Sequence, residues 1–370
     1  MHLKYNINKE NYKISFCTKN NEDFIISDLK KLSSDKRVLF LYDKNINEKL
    51  IRRILDNLKL SGCNIFVMRI EGNKINKNEK LLFKIIDNLI ANKFTKKSVI
   101  ISCGGGVVGD VSALASSLYL RGLIYFHIPT TMTAIVDSCI GGKTGINYKG
   151  ITNSIGNYYF PKNVYILENI INLIPQREYL AGIPEVIKCG LIDSKKILDF
   201  LKFNHKQIVS RNFSYVSKMC KFALKTKIKF FSNDVYEKNQ RLHLNLGHTF
   251  AHAIEMTLEN HFKRDYIRHG EAVGIGILCE IYYAFSKKNK IFNDTRSLLQ
   301  NYSLPTNLNG NEIKNKKQKL QSNIYKNIFL DKKRMNQYPR YIKLTKPGKA
   351  KIMEMKNFDQ LNDTIFSIIF

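Results

Sequence analysis

Two histidines stand one helical turn apart in Asn245-Leu-Gly-His248-Thr-Phe-Ala-His252-Ala-Ile-Glu255, and His269-Gly270-Glu271 opens the next apolar-periodic stretch. Residues i and i+4 share one face of a helix, so two imidazoles can converge on one ion. With a carboxylate they make an open zinc-type site that leaves a position for a substrate oxygen. Thr249 stands where an H-E-x-x-H protease has its glutamate, which excludes that chemistry. The carboxylate must be brought in by the fold; Glu185 is one candidate, and spacing alone does not choose among them. Histidines satisfied inside a core would show the same spacing.

A second group points to phosphate. Gly104-Gly105-Gly106-Val107-Val108-Gly109-Asp110 fits G-x-G-x-x-G between an apolar run and a helical stretch. Glycines there let backbone approach a pyrophosphate, and the free N–H groups of a helix N-terminus carry partial positive charge. The ribose-binding acid expected about 20 residues on is missing from Leu123 to Pro129, and Asp43, after the Arg37–Tyr42 run, is an alternative. A tight turn that needs small residues would read alike. Gly141-Gly142-Lys143-Thr144-Gly145 resembles the end of a P-loop, but Asp137 occupies the first glycine's position, which disfavours a nucleoside-triphosphate hydrolase. A lysine flanked by glycines still suits an anion. Lys188, one turn from Glu185, together with Lys227, Arg241, Lys332 and Lys333, forms a further cationic group. In so basic a chain, solvated lysines are the default reading of that group.

These residues have to be held by two kinds of structure. Arg37–Tyr42, Asn64–Ile70, Ser98–Ser102, Leu123–Ile128 and Val164–Leu167 read as buried strands. Helical periodicity lies between them, at Ile46–Leu58, Leu81–Ile90 and from about Asp110 to Leu120. Near-continuous apolar strands alternating with helices predict an α/β unit with a mostly parallel sheet covered on both faces. After Ile174-Pro175 the periodicity is helical, over Ile208–Phe231, Gly247–Glu259, Gly270–Phe285 and Ser297–Tyr302. One hairpin is expected at Arg340–Met353, turning at Pro347-Gly348. The predicted division is an α/β domain at 1–174 and a mainly helical domain at 175–370.

Composition narrows the function classes. A chain of 370 residues, 44% hydrophobic and 25% charged, has the make-up of a folded enzyme with two domains. No apolar run reaches the roughly 18 residues of a membrane helix, and the polar start at Met1-His2-Leu3-Lys4 shows no signal peptide. The seven cysteines are scattered singly with no C-x-x-C pair, so reduced, buried thiols in a cytoplasmic protein are expected. Lys+Arg 60 against Asp+Glu 31 gives a net +29, but the lysines are spread along the chain rather than gathered in a nucleic-acid stripe. Neither nucleic acid nor membrane is expected as a partner.

Taken in order, GGGVVGD, Ile128-Pro129-Thr130-Thr131, Val136-Asp137-Ser138, GGKTG, Pro184-Glu185-Val186-Ile187-Lys188, NLGHTFAHAIE, HGEAV and Asp331-Lys332-Lys333 resemble the 3-dehydroquinate synthases, within the sugar phosphate cyclases. The resemblance implies an NAD-binding α/β domain, a helical domain holding Zn2+ or Co2+, and a homodimer. It implies metal ligands Glu185, His248 and His269, with His252 beside them in proton transfer. NAD would meet Gly105, Gly106, Val107, Val108, Gly109, Asp110, Thr130, Thr131, Asp137 and Lys143, with the Ile170-Ile171-Asn172-Leu173 loop lining it. Substrate anions would meet Lys143, Asn153, Lys188, Lys227, Arg241, Asn245 and Lys332 or Lys333, with Glu237 nearby and Arg121 reaching across the dimer.

Three departures stand out. Thr152 replaces a lysine, the ribose-binding G-E-x-x-K stretch is altered to Gly72-Asn-Lys-Ile-Asn-Lys77, and the His252–His269 segment is long. Weakened or re-routed cofactor contacts, with intact chemistry, are the expectation. The implied reaction converts 3-deoxy-D-arabino-heptulosonate 7-phosphate to 3-dehydroquinate and phosphate. A related cyclase, a metal-dependent polyol dehydrogenase and, remotely, a nucleic-acid binder are the alternatives.

Overall fold

Val38-Leu39-Phe40-Leu41-Tyr42 is apolar at every position because both faces of its strand are covered. Val38, Phe40 and Tyr42 enter one core with Ile25, Leu29, Ile51 and Ile54. Leu39 and Leu41 enter another with Leu82, Ile85, Val108 and Val111. The period of two thus sorts one sequence into two cores, the condition of a parallel sheet between helices. The structure, a computed structural model, describes residues 2–7, 9–18, 23–330 and 338–370. Contacts divide the chain into two compact units, Met1–Pro175 and Gln176–Phe370.

The first unit contains β1 (His2–Ile7), β2 (Glu10–Cys17), α1 (Asp23–Leu32), β3 (Arg37–Asp43), α2 (Glu48–Lys59), β4 (Asn64–Ile70), α3 (Glu79–Ala91), β5 (Val99–Gly104), α4 (Gly106–Leu118), β6 (Ile124–Pro129), β7 (Lys143–Tyr148), β8 (Ile151–Tyr158), β9 (Asn163–Leu167) and α5 (Glu168–Leu173). Seven strands form one sheet in the order β1-β2-β9-β6-β5-β3-β4. It is parallel except at the β1–β2 hairpin. Asn47 and Asn78 cap α2 and α3 by accepting backbone N–H groups with their side chains. The antiparallel β7–β8 hairpin stands outside this sheet.

The second unit is mainly helical: α6 (Gln176–Leu180), α7 (Ile183–Ile192), α8 (Lys195–Phe203), α9 (His205–Val209), α10 (Phe213–Phe231), α11 (His248–Phe262), α12 (His269–Phe285), α13 (Lys290–Asn301), α14 (Asn311–Lys314), α15 (Lys317–Phe329) and α16 (Phe358–Thr364). One antiparallel hairpin, β10 (Arg340–Lys346) with β11 (Lys349–Glu354), joins them.

The structure corrects several expectations. The helix after the glycine cluster begins at Gly106, not near Asp110, so the glycines form its first turn. The Ile208–Phe231 stretch is two helices, broken where Arg211 takes φ +61. Residues 170–173 end helix α5 rather than forming a loop, with Ile170 and Ile171 turned into the interior. The β1–β2 and β7–β8 hairpins were not expected: the exposed polar face of β8 hides any apolar alternation.

Candidate active site

The metal-type site begins with the residues that make close approach possible. A Cβ on Gly270 would collide with the carbonyl oxygen of Ala181, so α12 touches the backbone just before α7. Glu271 fixes the start of α12: it accepts the Arg268 N–H at 2.9 Å and holds Arg177 through both carboxylate oxygens at 2.7 Å. This seats His269, first residue of α12, near Glu185 on α7. Gly247, at φ +82, lies against α12 at Ile277 and Val273, where no side chain would fit, and starts α11 with His248.

Glu185, His248 and His269 therefore converge, their ligand atoms all within 4.8 Å of one another. Glu185 Oε1 lies 3.7 Å from His248 Nε2 and 3.6 Å from His269 Nε2. Ligands about 2.0–2.2 Å from a tetrahedral ion stand roughly 3.3–3.6 Å apart, so the set is close to metal geometry. The outer ring nitrogens are already engaged: His248 Nδ1 is 3.2 Å from the Leu246 carbonyl oxygen and His269 Nδ1 is 2.9 Å from Glu255 Oε2. Those partners accept, so the Nδ1 atoms carry hydrogen and Nε2 is the nitrogen each ring can offer an ion, His269 giving up to it the proton that the two carboxylates favour. Glu185 is 1% exposed and ion-paired with Lys188 through Oε2, with Oε1 turned toward the two imidazoles. A buried carboxylate so placed fits a cation.

Burial disfavours a charged His269 ring, but Glu255 and Glu185 outweigh it and hold its pKa up at about 10. His252 lies outside the ligand set, its ring centroid 5.5 Å from that of His248 and 6.2 Å from that of His269. It is close enough to share the site without closing it.

The cationic residues are not solvated. Lys188 is 1% exposed, Arg241 5% and Lys227 8%. Asp234 organises the loop after α10 by accepting the N–H groups of Lys238, Asn239 and Arg241 at 2.8–2.9 Å. Arg241 Nη1 donates to the Val235 carbonyl at 2.7 Å, and Asn245 Nδ2 to Glu237 Oε1 at 2.6 Å. The second unit thus gathers Glu185, Lys188, Lys227, Glu237, Arg241, Asn245, His248, His252 and His269 onto neighbouring elements. Lys332 and Lys333 lie outside the described residues.

The first unit assembles a separate cradle. Cβ atoms on Gly72 and Gly104 would strike Asp43 and Val108, and Val108, respectively; one on Gly105 would come within 3.1 Å of Thr131. Gly105 caps α4 with no side chain of its own, leaving a bare helix N-terminus. Glycine at 72 and 104 lets Asp43 and Val108 pack directly against backbone, and the uncapped N–H groups at the start of α4 are what suit a dinucleotide pyrophosphate. Asp137 lies in the π-helical turn Ala134–Ser138, and its charge adds to the burial that pushes the Asp110 carboxyl up against the pull of Lys77. Lys77 Nζ donates at 2.5 Å to both Asp110 Oδ2 and Asn153 Oδ1, so the altered 72–77 segment still delivers its lysine. Thr152 and Lys143 are exposed on the β7–β8 hairpin. Arg121 follows Leu120 in a turn where both take positive φ, +66 and +50.

Two partners escaped the sequence reading. Glu255 belongs to the His248/His252 face at i+7, a spacing that could have found it. Glu280, buried on α12, interrupts the apolar run Val273–Phe285 in the sequence, but nothing there indicates its partners.

Comparison with known proteins adds the following. A family model for the N-terminal part of 3-dehydroquinate synthase matches residues 67–181, and one for its C-terminal part matches 182–334. The chain is 32% identical over 354 residues to the 3-dehydroquinate synthase of Thermodesulfovibrio yellowstonii, covering 95% of each. Its fold is similar to 2-epi-5-epi-valiolone synthase of Streptomyces hygroscopicus, solved with NAD+ and Zn2+, at TM-score 0.84, 18% identity and 98% of both chains. It is similar also to 2-deoxy-scyllo-inosose synthase, solved with carbaglucose-6-phosphate, NAD+ and Co2+, at TM-score 0.84, 20% identity and 100% of both chains.

Proposed function

The chain belongs to the 3-dehydroquinate synthase family, and from that premise we propose how its residues divide the work. The enzyme converts 3-deoxy-D-arabino-heptulosonate 7-phosphate to 3-dehydroquinate and phosphate with NAD and a divalent metal, a step of aromatic biosynthesis. Formally it is a carbon–oxygen lyase acting on a phosphate. The observation that carries the assignment of residues is the inward-facing set of Glu185, His248 and His269, with zinc as its natural ion.

When bound, the metal supplies Lewis acidity at a substrate hydroxyl, and the nicotinamide takes and returns one hydride. The chain's own residues do the rest. Leu246 and Glu255 hold the two imidazoles in the tautomer that offers Nε2. Lys188, Lys227 and Arg241, kept from water, offer fixed positive charge to a phosphate and a carboxylate, and to charge developing on them. Asn245 is aimed by Glu237. His252, near the ligands and not among them, is placed to hold or move a proton on the substrate. In the first unit the uncapped start of α4, at Gly105 and Gly106, would take the pyrophosphate, with Asp43, Thr130, Thr131, Asp137 and Lys143 as its neighbours.

The active form we infer is a cytoplasmic homodimer. Ile151 at 47%, Ile155 at 41% and Tyr148 at 37% exposure lie on the β7–β8 hairpin, and Leu118 at 49% and Leu120 at 43% lie at the end of α4 beside Arg121. Apolar side chains left bare in this way suit association. All seven cysteines are free and buried, as a reducing compartment allows. Among the described residues no helix is long and apolar enough to cross a membrane. The assignment is tested by offering 3-deoxy-D-arabino-heptulosonate 7-phosphate beside a hexose 6-phosphate: only the first should release phosphate, and preference for the second would make the chain a different cyclase.

A further inference from the structure

Glu280 is fully buried on α12, yet no step of the proposed chemistry uses it. One carboxylate oxygen, Oε1, accepts the N–H of Gly247 at 2.9 Å, and the other, Oε2, accepts the N–H of Ile342 on β10 at 2.7 Å. Gly247 immediately precedes His248. It takes φ +82, it starts α11 without a side-chain cap, and the contact is so close that a Cβ on Gly276 would strike its carbonyl oxygen. The neighbouring Leu246 carbonyl is the oxygen that faces His248 Nδ1 at 3.2 Å.

A carboxylate is costly to remove from water, and an apolar side chain would fill the same volume without that cost. What the carboxylate alone provides is two strong acceptors for buried backbone N–H groups. One of these groups belongs to the turn that sets both the origin of α11 and the tautomer of His248. Glu280 follows His269 by roughly three turns on the same face of α12. One helix therefore carries one histidine ligand directly and holds the turn that aims the other.

We infer that Glu280 is a positioning residue for the metal centre: by gripping the Gly247 N–H it registers His248 against His269. The inference rests on the ligand set proposed above and goes beyond it. Displacement of that turn would rotate the His248 ring, loosen the ion and alter its ligand field, while Lys188 on α7 and Lys227 on α10 stay in place.

The test uses full-length protein loaded with Co2+, whose visible spectrum reports ligand geometry. Glu280→Gln keeps the volume but turns an NH2 group toward one of the two N–H donors. The expected result is a shifted visible spectrum and at least tenfold faster loss of Co2+ to a chelator. Cys279→Ala is the control: it opens a small cavity beside Glu280, should lower the unfolding midpoint, and should leave the Co2+ spectrum alone. A parent-like spectrum and Co2+ loss in Glu280→Gln would overturn the proposal, as would equal changes in Cys279→Ala. Should Glu280→Gln not fold, Glu280→Asp, which keeps the charge and withdraws the acceptors by one methylene, decides by the same spectrum. Failure of the parent chain to bind Co2+ at all would instead refute the ligand set.

Discussion

Nδ1 of His269 lies 2.9 Å from Oε2 of Glu255, a residue on α11, while its Nε2 faces Glu185 on α7. The ring is thus held from two helices, and its inward nitrogen is left to bind an ion. Glu255 is 12% exposed in its side chain and His269 32%, so the carboxylate is the more shielded partner. Such outer carboxylates typically account for about 10–100-fold in metal affinity.

Replacing Glu255 with Gln should therefore leave the fold intact and weaken metal binding by about tenfold or more. Chelator competition measures this. An unchanged metal affinity would remove Glu255 from the support of the site.

His252 supports a different expectation. It shares a helix face with His248 but is absent from the converging ligand set. His252→Gln should keep its metal and lose turnover by roughly 10²–10⁴, the usual range for general acid–base catalysis. Metal analysis and steady-state rates on one preparation check both halves; loss of metal in step with activity would make His252 a ligand instead.

A pH effect follows from the first unit. Burial holds the His127 ring at a pKa of about 4, although a hydrogen bond to the Ser102 backbone pulls the other way. The unfolded ring titrates near 6.5, so between about pH 6.5 and 4 the unfolded chain binds the extra proton and stability falls as pH falls. The loss approaches ~3 kcal/mol at the acid end. Urea midpoints at pH 7 and 4.5 should converge in His127→Gln relative to the parent; an identical acid loss in both would show that His127 does not carry it.

The bare apolar side chains of the β7–β8 hairpin predict an association surface. Ile155→Asp should shift the sedimentation profile toward monomer and reduce turnover, because Arg121 lies at the end of the adjoining α4. An unchanged dimer would place the interface elsewhere.

Much of this was legible in the sequence where the signal was contiguous. The glycine cluster, GGKTG and the His248–Glu255 segment each sit within one turn or one helix, so spacing alone exposed their faces. Glu185 was a different matter, because the packing of α12 on α7, with Gly270 against Ala181 and Gly274 against Pro184, brings it to the histidines, and no local pattern encodes that. The burial of Lys188, Lys227 and Arg241 was hidden for a chemical reason: in a chain carrying +29, lysine is ordinarily a solvent residue. The β7–β8 hairpin was missed because Ile146 enters the core alone while Tyr148, Ile151 and Ile155 are exposed, so no strand-like alternation shows. Glu280 stood out as the lone charge in the Val273–Phe285 run, but its role was hidden because its partners are backbone N–H groups, which every residue but proline carries.

The most direct test follows phosphate release from 3-deoxy-D-arabino-heptulosonate 7-phosphate while the reduced-nicotinamide absorbance is recorded, with and without chelator and added NAD. The account predicts release that depends on both NAD and metal, is lost in His248→Ala, and proceeds with no accumulation of reduced cofactor. Full release from metal-stripped protein, or steady build-up of reduced nicotinamide, would contradict it.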